Sequence, residues 1–415
     1  MNLVKLGDIC DFFNGGAWTQ SEFTETGYPV LKVSNCKNSG FEVDDVSFIP
    51  HEIAQRSENN KLHIGDVIIA TVGSHPNLVE SAAGRSCIVT KKVQGFYLNQ
   101  NAVCLRSKDC DVLDQRYLGY LAASAPFKHY IQSRGKGAAN QMRIAIGAIK
   151  EYEFEIPDIH VQRKIGATLD AYDDLIENNQ EQIKLLEEAA QRLYKEWFVD
   201  LRFPGHETTP ITGGIPEGWQ YSPLSEVFDF VRGKSYTSKE LSDTVGVLMA
   251  NLKNIRAFGG YKRNAEKRFT GQFKENQTLA AGDVVMGVTD MTQERRLVGH
   301  VALVPDMGEA MTFSMDLIKI IPKLTDKLFV YSALYYGGLS KQISPLANGV
   351  NVLHLKPEAM MGIEMLIPHD AIVRAYHERI SPIIVRIEAL QKQCDIAAEA
   401  RDRLLPKLRN GEIEV

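Results

Sequence analysis

Two stretches of the chain place apolar side chains at alternating steps of four and three. In the first, Ile165, Leu169, Tyr172, Ile176, Ile183, Leu186, Ala190, Leu193 and Trp197 form one stripe, with polar Asn179 in its single seven-residue gap. In the second, the stripe is Tyr376, Ile380, Ile383, Ile387, Leu390, Cys394, Ala397, Arg401, Leu404 and Leu408. A period of 3.5 sustained over more than four heptads is the seam of a coiled coil rather than of a short core helix. The pattern predicts two long helices, over 159–199 and 369–410. Pro382 removes a backbone donor near the start of the second and predicts a kink or a delayed start there.

The second stripe is the first advanced by 211 residues, so internal repetition organises the chain. Further landmarks recur in the same order. Asp11, Phe12, Gly15, Trp18, Thr19 and Glu22 match Asp229, Phe230, Gly233, Tyr236, Thr237 and Glu240. Asn35-Cys36-Lys37-Asn38 is matched to Asn251-Leu252-Lys253-Asn254, and Gly65-Asp66-Val67-Ile68 to Gly282-Asp283-Val284-Val285. Asn140 to Pro157 matches Asn351 to Pro368. Each repeat is a unit of about 200 residues that ends in a long helix.

The segments before each helix read as mixed α/β. Strand-like runs fall at Val67–Val72, Cys87–Lys91, Ala102–Arg106, Val284–Val288, Val298–Val304 and Leu317–Ile321, and helix-like runs at Tyr117–Gln132 and Lys327–Ile343. Pro204-Gly205, Pro210, Gly213-Gly214 and Pro216-Glu217-Gly218-Trp219 mark a linker. The expected organisation is a head at 1–158, a long helix at 159–199, a linker at 200–220, a second head at 221–368, a second long helix at 369–410 and a tail at 411–415. The expected fold class is α+β: two mixed α/β heads joined by two long antiparallel coiled-coil helices, with an internal pseudo-twofold duplication. The helical stretch 161–199 carries net charge −3 and the stretch 370–409 carries +2, which favours pairing of the two helices with each other.

The chain has 415 residues, 44% hydrophobic and 24% charged, with a net charge of −5. That is globular composition with room for two cores. No apolar run approaches the roughly 18 residues of a membrane span, the N-terminus has no apolar signal region, and six cysteines without a CxxC pair suit reduced thiols. The expected setting is the cytoplasm. Asp66 and Asp283 each follow a glycine before a strand, and read as turn residues that bond local backbone. Catalytic motifs are missing: there is no phosphate loop, no GxGxxG after a strand, no HExxH, no GxSxG and no Pro-Pro. The expectation is no catalytic residue and no metal site.

Charge is unevenly distributed. Residues 81–108 hold Arg85, Lys91, Lys92, Arg106 and Lys108 with no acid, and residues 128–150 hold Lys128, Arg134, Lys136, Arg143 and Lys150, again with no acid. In the second repeat, Lys253, Arg256, Lys262, Arg263, Lys267, Arg268 and Lys274 face Glu266 and, just beyond, Glu275. Basic zones anchor phosphates, and interleaved Asn, Gln and Arg side chains can read base edges. The candidate DNA-binding residues are Asn35, Lys37, Arg85, Arg134, Lys136, Asn140, Gln141 and Arg143 in the first repeat. In the second they are Lys253, Asn254, Arg295, Arg296, Asn351 and His354. Because both repeats share the pair Asn140 and Asn351, turn formation suits that pair better than base reading. Their differing neighbours Gln141, Arg143 and His354 suit readout, as do Arg295 and Arg296. A second reading from a different class is a two-headed coiled-coil adaptor whose heads bind protein or glycan; an enzyme with an unfamiliar site ranks last.

Several stretches together resemble the specificity subunit of type I restriction–modification systems. They are Trp197-Phe198-Val199-Asp200-Leu201-Arg202-Phe203-Pro204-Gly205, Gly214-Ile215-Pro216-Glu217-Gly218-Trp219, and Leu404-Leu405-Pro406-Lys407-Leu408-Arg409-Asn410-Gly411-Glu412-Ile413. The Ile-Pro steps at 156–157 and 367–368 join them, and the resemblance covers the whole chain. The first repeat departs from it in lacking the Pro-Glu-Gly-Trp lead-in. The resemblance implies two target-recognition domains, each reading half of a split, asymmetric double-stranded DNA sequence. It also implies that the chain itself is non-catalytic and binds no cofactor. Two modification (methyltransferase) subunits and the restriction (motor-nuclease) subunits would be its partners, and S-adenosylmethionine, ATP and Mg would sit on them.

Overall fold

The computed structural model of the chain describes residues 2–37, 40–43, 46–74, 82–138, 141–409 and 412–413. Contacts divide it into two compact units, Met1–Glu177 with Cys394–Val415, and Asn178–Gln393. The division runs through both long helices, so each unit combines one head with part of each helix.

In the first unit an antiparallel sheet has the order Cys10–Asn14, Ala102–Ser107, Val67–Ala70, Ser86–Ile88. One of its two inner strands is Val67-Ile68-Ile69-Ala70, three β-branched residues and an alanine, buried on both faces. A second sheet pairs Tyr28–Leu31 in parallel with Tyr97–Leu98 and antiparallel with Ser47–Ile49. The second unit repeats both patterns. Its first sheet runs Phe228–Arg232, Leu317–Pro322, Val284–Gly287, Val301–Leu303. Its second pairs Val247–Ala250 in parallel with Met311–Phe313 and antiparallel with Lys267–Phe269.

The matched landmarks do matched work. A Cβ added to Gly15 would lie 1.8 Å from the Asn99 carbonyl oxygen, and one added to Gly233 would lie 2.0 Å from that of Ser314. Both positions therefore exclude a side chain. The Glu22 carboxylate accepts from Thr19 N at 2.8 Å, as Glu240 does from Thr237 N. Asp66 accepts from His63 N at 2.8 Å and Asp283 from Ala280 N at 3.0 Å, the turn role expected of them.

The predicted helical runs are each broken in two. Tyr117–Gln132 resolves into Gln115–Ala123 and Ala125–Ser133, because Pro126 cannot continue the first helix and Ser124 adopts extended backbone. Lys327–Ile343 resolves into Lys327–Tyr335 and Leu339–Ile343 around Gly338, whose φ of 77° is the left-handed stop. Asp114 and Asp326 cap the leading helices, each accepting from the backbone N–H groups two and three residues on. The run Val67–Val72 also divides. Its strand ends at Ala70, and Val72–Gly73 belongs to a different sheet.

The first long helix spans Ile159–Tyr194 and closes with a π-turn at Lys195–Val199; the second spans Asp370–Arg409 and runs unbroken through Pro382. They pair antiparallel. In the first unit Arg401 bonds Asp173, and Cys394 Sγ lies 3.8 Å from the Ile176 carbonyl oxygen. In the second, Asn179 Nδ2 donates to Gln393 Oε1 at 3.2 Å and Arg386 donates to Gln182 Oε1 at 3.2 Å. Ile165, Leu169, Ile183, Ile380, Ile387, Leu390 and Leu408 are buried, while Ile176, Leu186, Leu193 and Leu404 are half-buried. Much of that burial is against the unit's own head. Ile165 and Leu169 join Tyr117, Leu118 and Leu121 in one core, and Ile380 joins Phe198, Trp219, Phe329 and Tyr376 in another.

Candidate nucleic-acid interface

In the first unit two of the cationic candidates, Lys136 and Arg143, lie on a small three-stranded sheet, in the order Lys136–Ala138, Gln141–Arg143, Val72–Gly73. Lys136 lies directly opposite Arg143, and Arg143 lies directly opposite Val72. Both cations are exposed. Arg134, one turn away, stacks its guanidinium 3.6 Å from the centroid of the Tyr130 ring, which fixes its direction. Gly137 takes a φ of 147°, a conformation that favours glycine in this hairpin. Asn38 and Asn140 lie outside the described residues.

The second unit builds the same frame with other side chains. Thr289–Asp290 pairs with Leu353–His354, so that His354 stands opposite Thr289 as Arg143 stands opposite Val72. Asn348 and His354 exchange both backbone hydrogen bonds, at 3.0 and 2.9 Å, in the place that Lys136 and Arg143 hold in the first unit. Gly349 has a φ of 152°, and a Cβ there would lie 1.9 Å from the Val352 carbonyl oxygen. Asn351 and His354 are exposed.

Arg295 and Arg296 ride on the loop that follows this strand, and Asp290 holds that loop. The fully buried Asp290 carboxylate accepts from Thr292 N and Oγ1 at 2.8 Å through one oxygen. Through the other it accepts from Leu297 N at 2.6 Å and Val298 N at 3.2 Å. Burial opposes its charge, but these donors outweigh burial and hold the carboxyl below its usual range. Buried His300 sits beneath the same loop, its ring edge-on to Phe258 at 5.6 Å, and burial lowers its imidazole pKa. Arg295 adopts a left-handed φ of 53° and is half-buried, while Arg296 is exposed. Neither Asp290 nor His300 was singled out in the sequence. The signal for Asp290 is an acid two residues after the apolar run Val284–Val288.

Four candidates have other work. Asn35 is 7% exposed; its Oδ1 accepts from Lys32 N at 2.9 Å and its Nδ2 donates to the Glu42 carbonyl at 2.9 Å. Asn254 is fully buried; its Oδ1 accepts from Asn251 N at 2.9 Å, and its Nδ2 donates to the Lys262 carbonyl and to Glu266 Oε1. Amides spent on their own loops cannot also read bases, so both are corrected from readers to scaffold. These bonds also correct the repeat alignment: Asn35 corresponds to Asn254, not to Asn251. Arg85 donates to the Cys36 carbonyl at 2.5 Å, and Lys37 pairs with Glu42 at 3.2 Å. Lys253 is exposed.

The basic zones are therefore only partly outward cations. Arg106 is bidentate to Asp66, Arg268 to Glu309, and Arg263 reaches Glu388 at 3.3 Å. Among the described residues no cluster of three or more His, Cys, Asp or Glu side chains could hold a metal ion. Nor is any helix among them long and apolar enough to cross a membrane.

The chain is thus a duplicated α+β fold: each core presents a short strand pair whose exposed polar side chains differ between copies, and paired long helices accompany the cores. Residues 1–188 match the family model of the type I restriction modification DNA specificity domain. Relatives agree along the chain. The type I restriction enzyme MjaIX specificity subunit of Methanocaldococcus jannaschii is 27% identical over 74% of this chain and 70% of its own length. The MjaVIII specificity subunit of the same organism is 24% identical over 100% of this chain and 93% of its own. The crystal structure of the type I restriction-modification system S subunit from M. genitalium shares the fold, with a TM-score of 0.60 at 14% identity. It covers 98% of this chain and 95% of that one. The first part of this chain is thus similar to the type I restriction modification DNA specificity domain, and its relatives along the whole length are specificity subunits of type I restriction enzymes.

Proposed function

We propose that this chain selects the DNA target for a type I restriction–modification complex, with each head reading one half of a split, asymmetric site. The observation that carries the proposal is the pair of equivalent frames with different side chains: Lys136, Arg143 and Val72 in one unit, Asn348, His354 and Thr289 in the other. Cations on an exposed strand pair suit phosphates and guanine edges, whereas Asn and His suit other base edges, so two unlike half-sites follow. The chain contributes no catalytic group. It docks two modification subunits and the restriction subunits in the cytoplasm. Adenine methylation, with its S-adenosylmethionine, and the ATP- and Mg-dependent steps belong to those partners. Helix length would set the gap between half-sites in this reading, the seam from Ile165 to Trp197 measuring about 50 Å at roughly 1.5 Å per residue.

The test is methylome sequencing of cells in which residues 1–158 are replaced by another first head. One half of the methylated motif should change while the other half and the gap stay. Both halves changing together would refute it. Duplex binding should also weaken steeply with salt, which an adaptor for protein or glycan would not show.

A further inference from the structure

We propose that Met291 and Val350 form an apolar tip that reads the 5-methyl group of thymine in the half-site bound by the second head. The inference rests on the DNA-reading function above and names a specificity determinant within it. Among the exposed large hydrophobic residues described, these two are the most exposed, Val350 at 88% and Met291 at 77%. Single exposed apolar side chains need no explanation. These two, however, leave the same end of one two-stranded ribbon, because Thr289 pairs with His354 and Asp290 with Leu353. Beyond that pairing Met291 continues one strand and Val350 precedes the other. Gln293 Nε2 ties the two loops together by donating to the Val350 carbonyl at 2.9 Å.

The tip is rigid. Asp290 anchors one loop through its four hydrogen bonds, and Gly349 turns the other in a conformation that favours glycine, where a Cβ would strike the Val352 carbonyl. Rigid loops that hold apolar side chains in water pre-organise a contact. Close by in the chain, exposed Arg296 and Lys356, with His354, outnumber the exposed acid Glu294, which suits a polyanion rather than an apolar partner. The major groove of duplex DNA admits a two-stranded ribbon, and the thymine methyl is the apolar group it displays there.

The experiment uses the full chain assembled with its modification subunits, and duplexes carrying the methylated target identified in cells. Thymines of the second half-site are replaced one at a time by deoxyuridine, which lacks only the methyl group. At one position the wild-type complex should lose about fourfold in affinity, the effect of one buried methyl-sized group. The variant Met291→Ser/Val350→Ser should bind thymine and deoxyuridine duplexes alike, with an unchanged melting temperature. The two single substitutions should each give part of that loss. Equal wild-type binding to both duplexes, a variant that keeps the difference, or a second half-site without any A·T pair would each overturn the assignment and leave the DNA-reading function standing. Absence of salt-sensitive duplex binding in every complex would overturn both.

Discussion

Lys136 and Arg143 face each other directly across an antiparallel ladder with both side chains exposed. Like charges at that spacing repel, and an anion between them removes the repulsion. In the free protein Lys136→Ala should leave stability unchanged or raise it by roughly 0.2–1 kcal/mol. On DNA it should weaken all sequences alike and lower the salt slope by about one. Arg143→Ala should cost roughly 1–3 kcal/mol on the cognate site and much less on a site altered at the contacted base. Titration of both variants against both duplexes at several salt concentrations checks the difference. Equal losses for Arg143→Ala on both sites would make it a phosphate anchor.

Asn254 tests scaffold against reader. Asn254→Ala removes three hydrogen bonds, one fully buried and two part-buried, and should lower stability by about 2–4 kcal/mol, read from chemical denaturation. Residual DNA affinity should fall equally on cognate and altered sites. A base-specific loss would restore the reader role.

Asp290→Ala removes the acceptor of four hydrogen bonds and should destabilise the second unit by about 2–4 kcal/mol. The carboxyl is held below its usual range, so its contribution is present above the ordinary Asp pKa and is lost as pH falls through the folded value. Wild-type and Asp290→Asn stabilities should converge on acidification below about pH 4. Parallel curves across that window would contradict the bracing role.

His300 adds a second, milder acid response. Burial lowers its pKa, while the Arg295 and Phe258 backbone and the Asp290 charge pull the other way and Lys341 joins burial in opposing protonation. A lowered imidazole contributes stability above its unfolded value of about 6.5, and that contribution is lost as pH falls from there. Thermal unfolding followed from pH 7.5 to 5.5 should show a decline that His300→Asn flattens. An unchanged slope in the variant would place the titration elsewhere.

A spacer role for the helices predicts a ruler. Because Cys394 Sγ lies against the Ile176 carbonyl, a heptad inserted after Ile176 is matched across the pair by one inserted before Cys394. Repeat-equivalent insertions after Ile176 and Ile387 would instead displace Gln393 from Asn179. The matched insertion preserves both seams and should lengthen the recognised gap by roughly three base pairs, at about 1.5 Å per residue and 3.4 Å per base pair. Methylome mapping reads the gap directly, and an unchanged gap in an active variant would sink the ruler.

The duplication and the seams were legible because they rest on buried positions, where periodicity reports burial. Asn35 was misaligned because Asn-x-x-Asn offers two registers three residues apart, and hydrogen bonds, not letters, decide between Asn251 and Asn254. The helix breaks at Ser124 and Gly338 were encoded by Pro126 and a glycine pair, but the apolar stripe ran through both. Arg263 and Arg268 looked like an open cationic patch because Glu388 and Glu309, their partners, lie 125 and 41 residues away in sequence.

The first unit is assembled from both extremities of the chain, with Leu408 packed into the same core as Ile165 and Leu169. During synthesis the second unit leaves the ribosome as one continuous stretch and has everything it needs to close. The first waits through all of that, about 10–40 s at roughly 5–20 residues per second, before its missing helix arrives. Its apolar seam is open for that interval, so the nascent chain is most exposed to aggregation and to chaperones while its earlier-made head is still incomplete. A stop codon near residue 393 would therefore damage the head made first and spare the one made last.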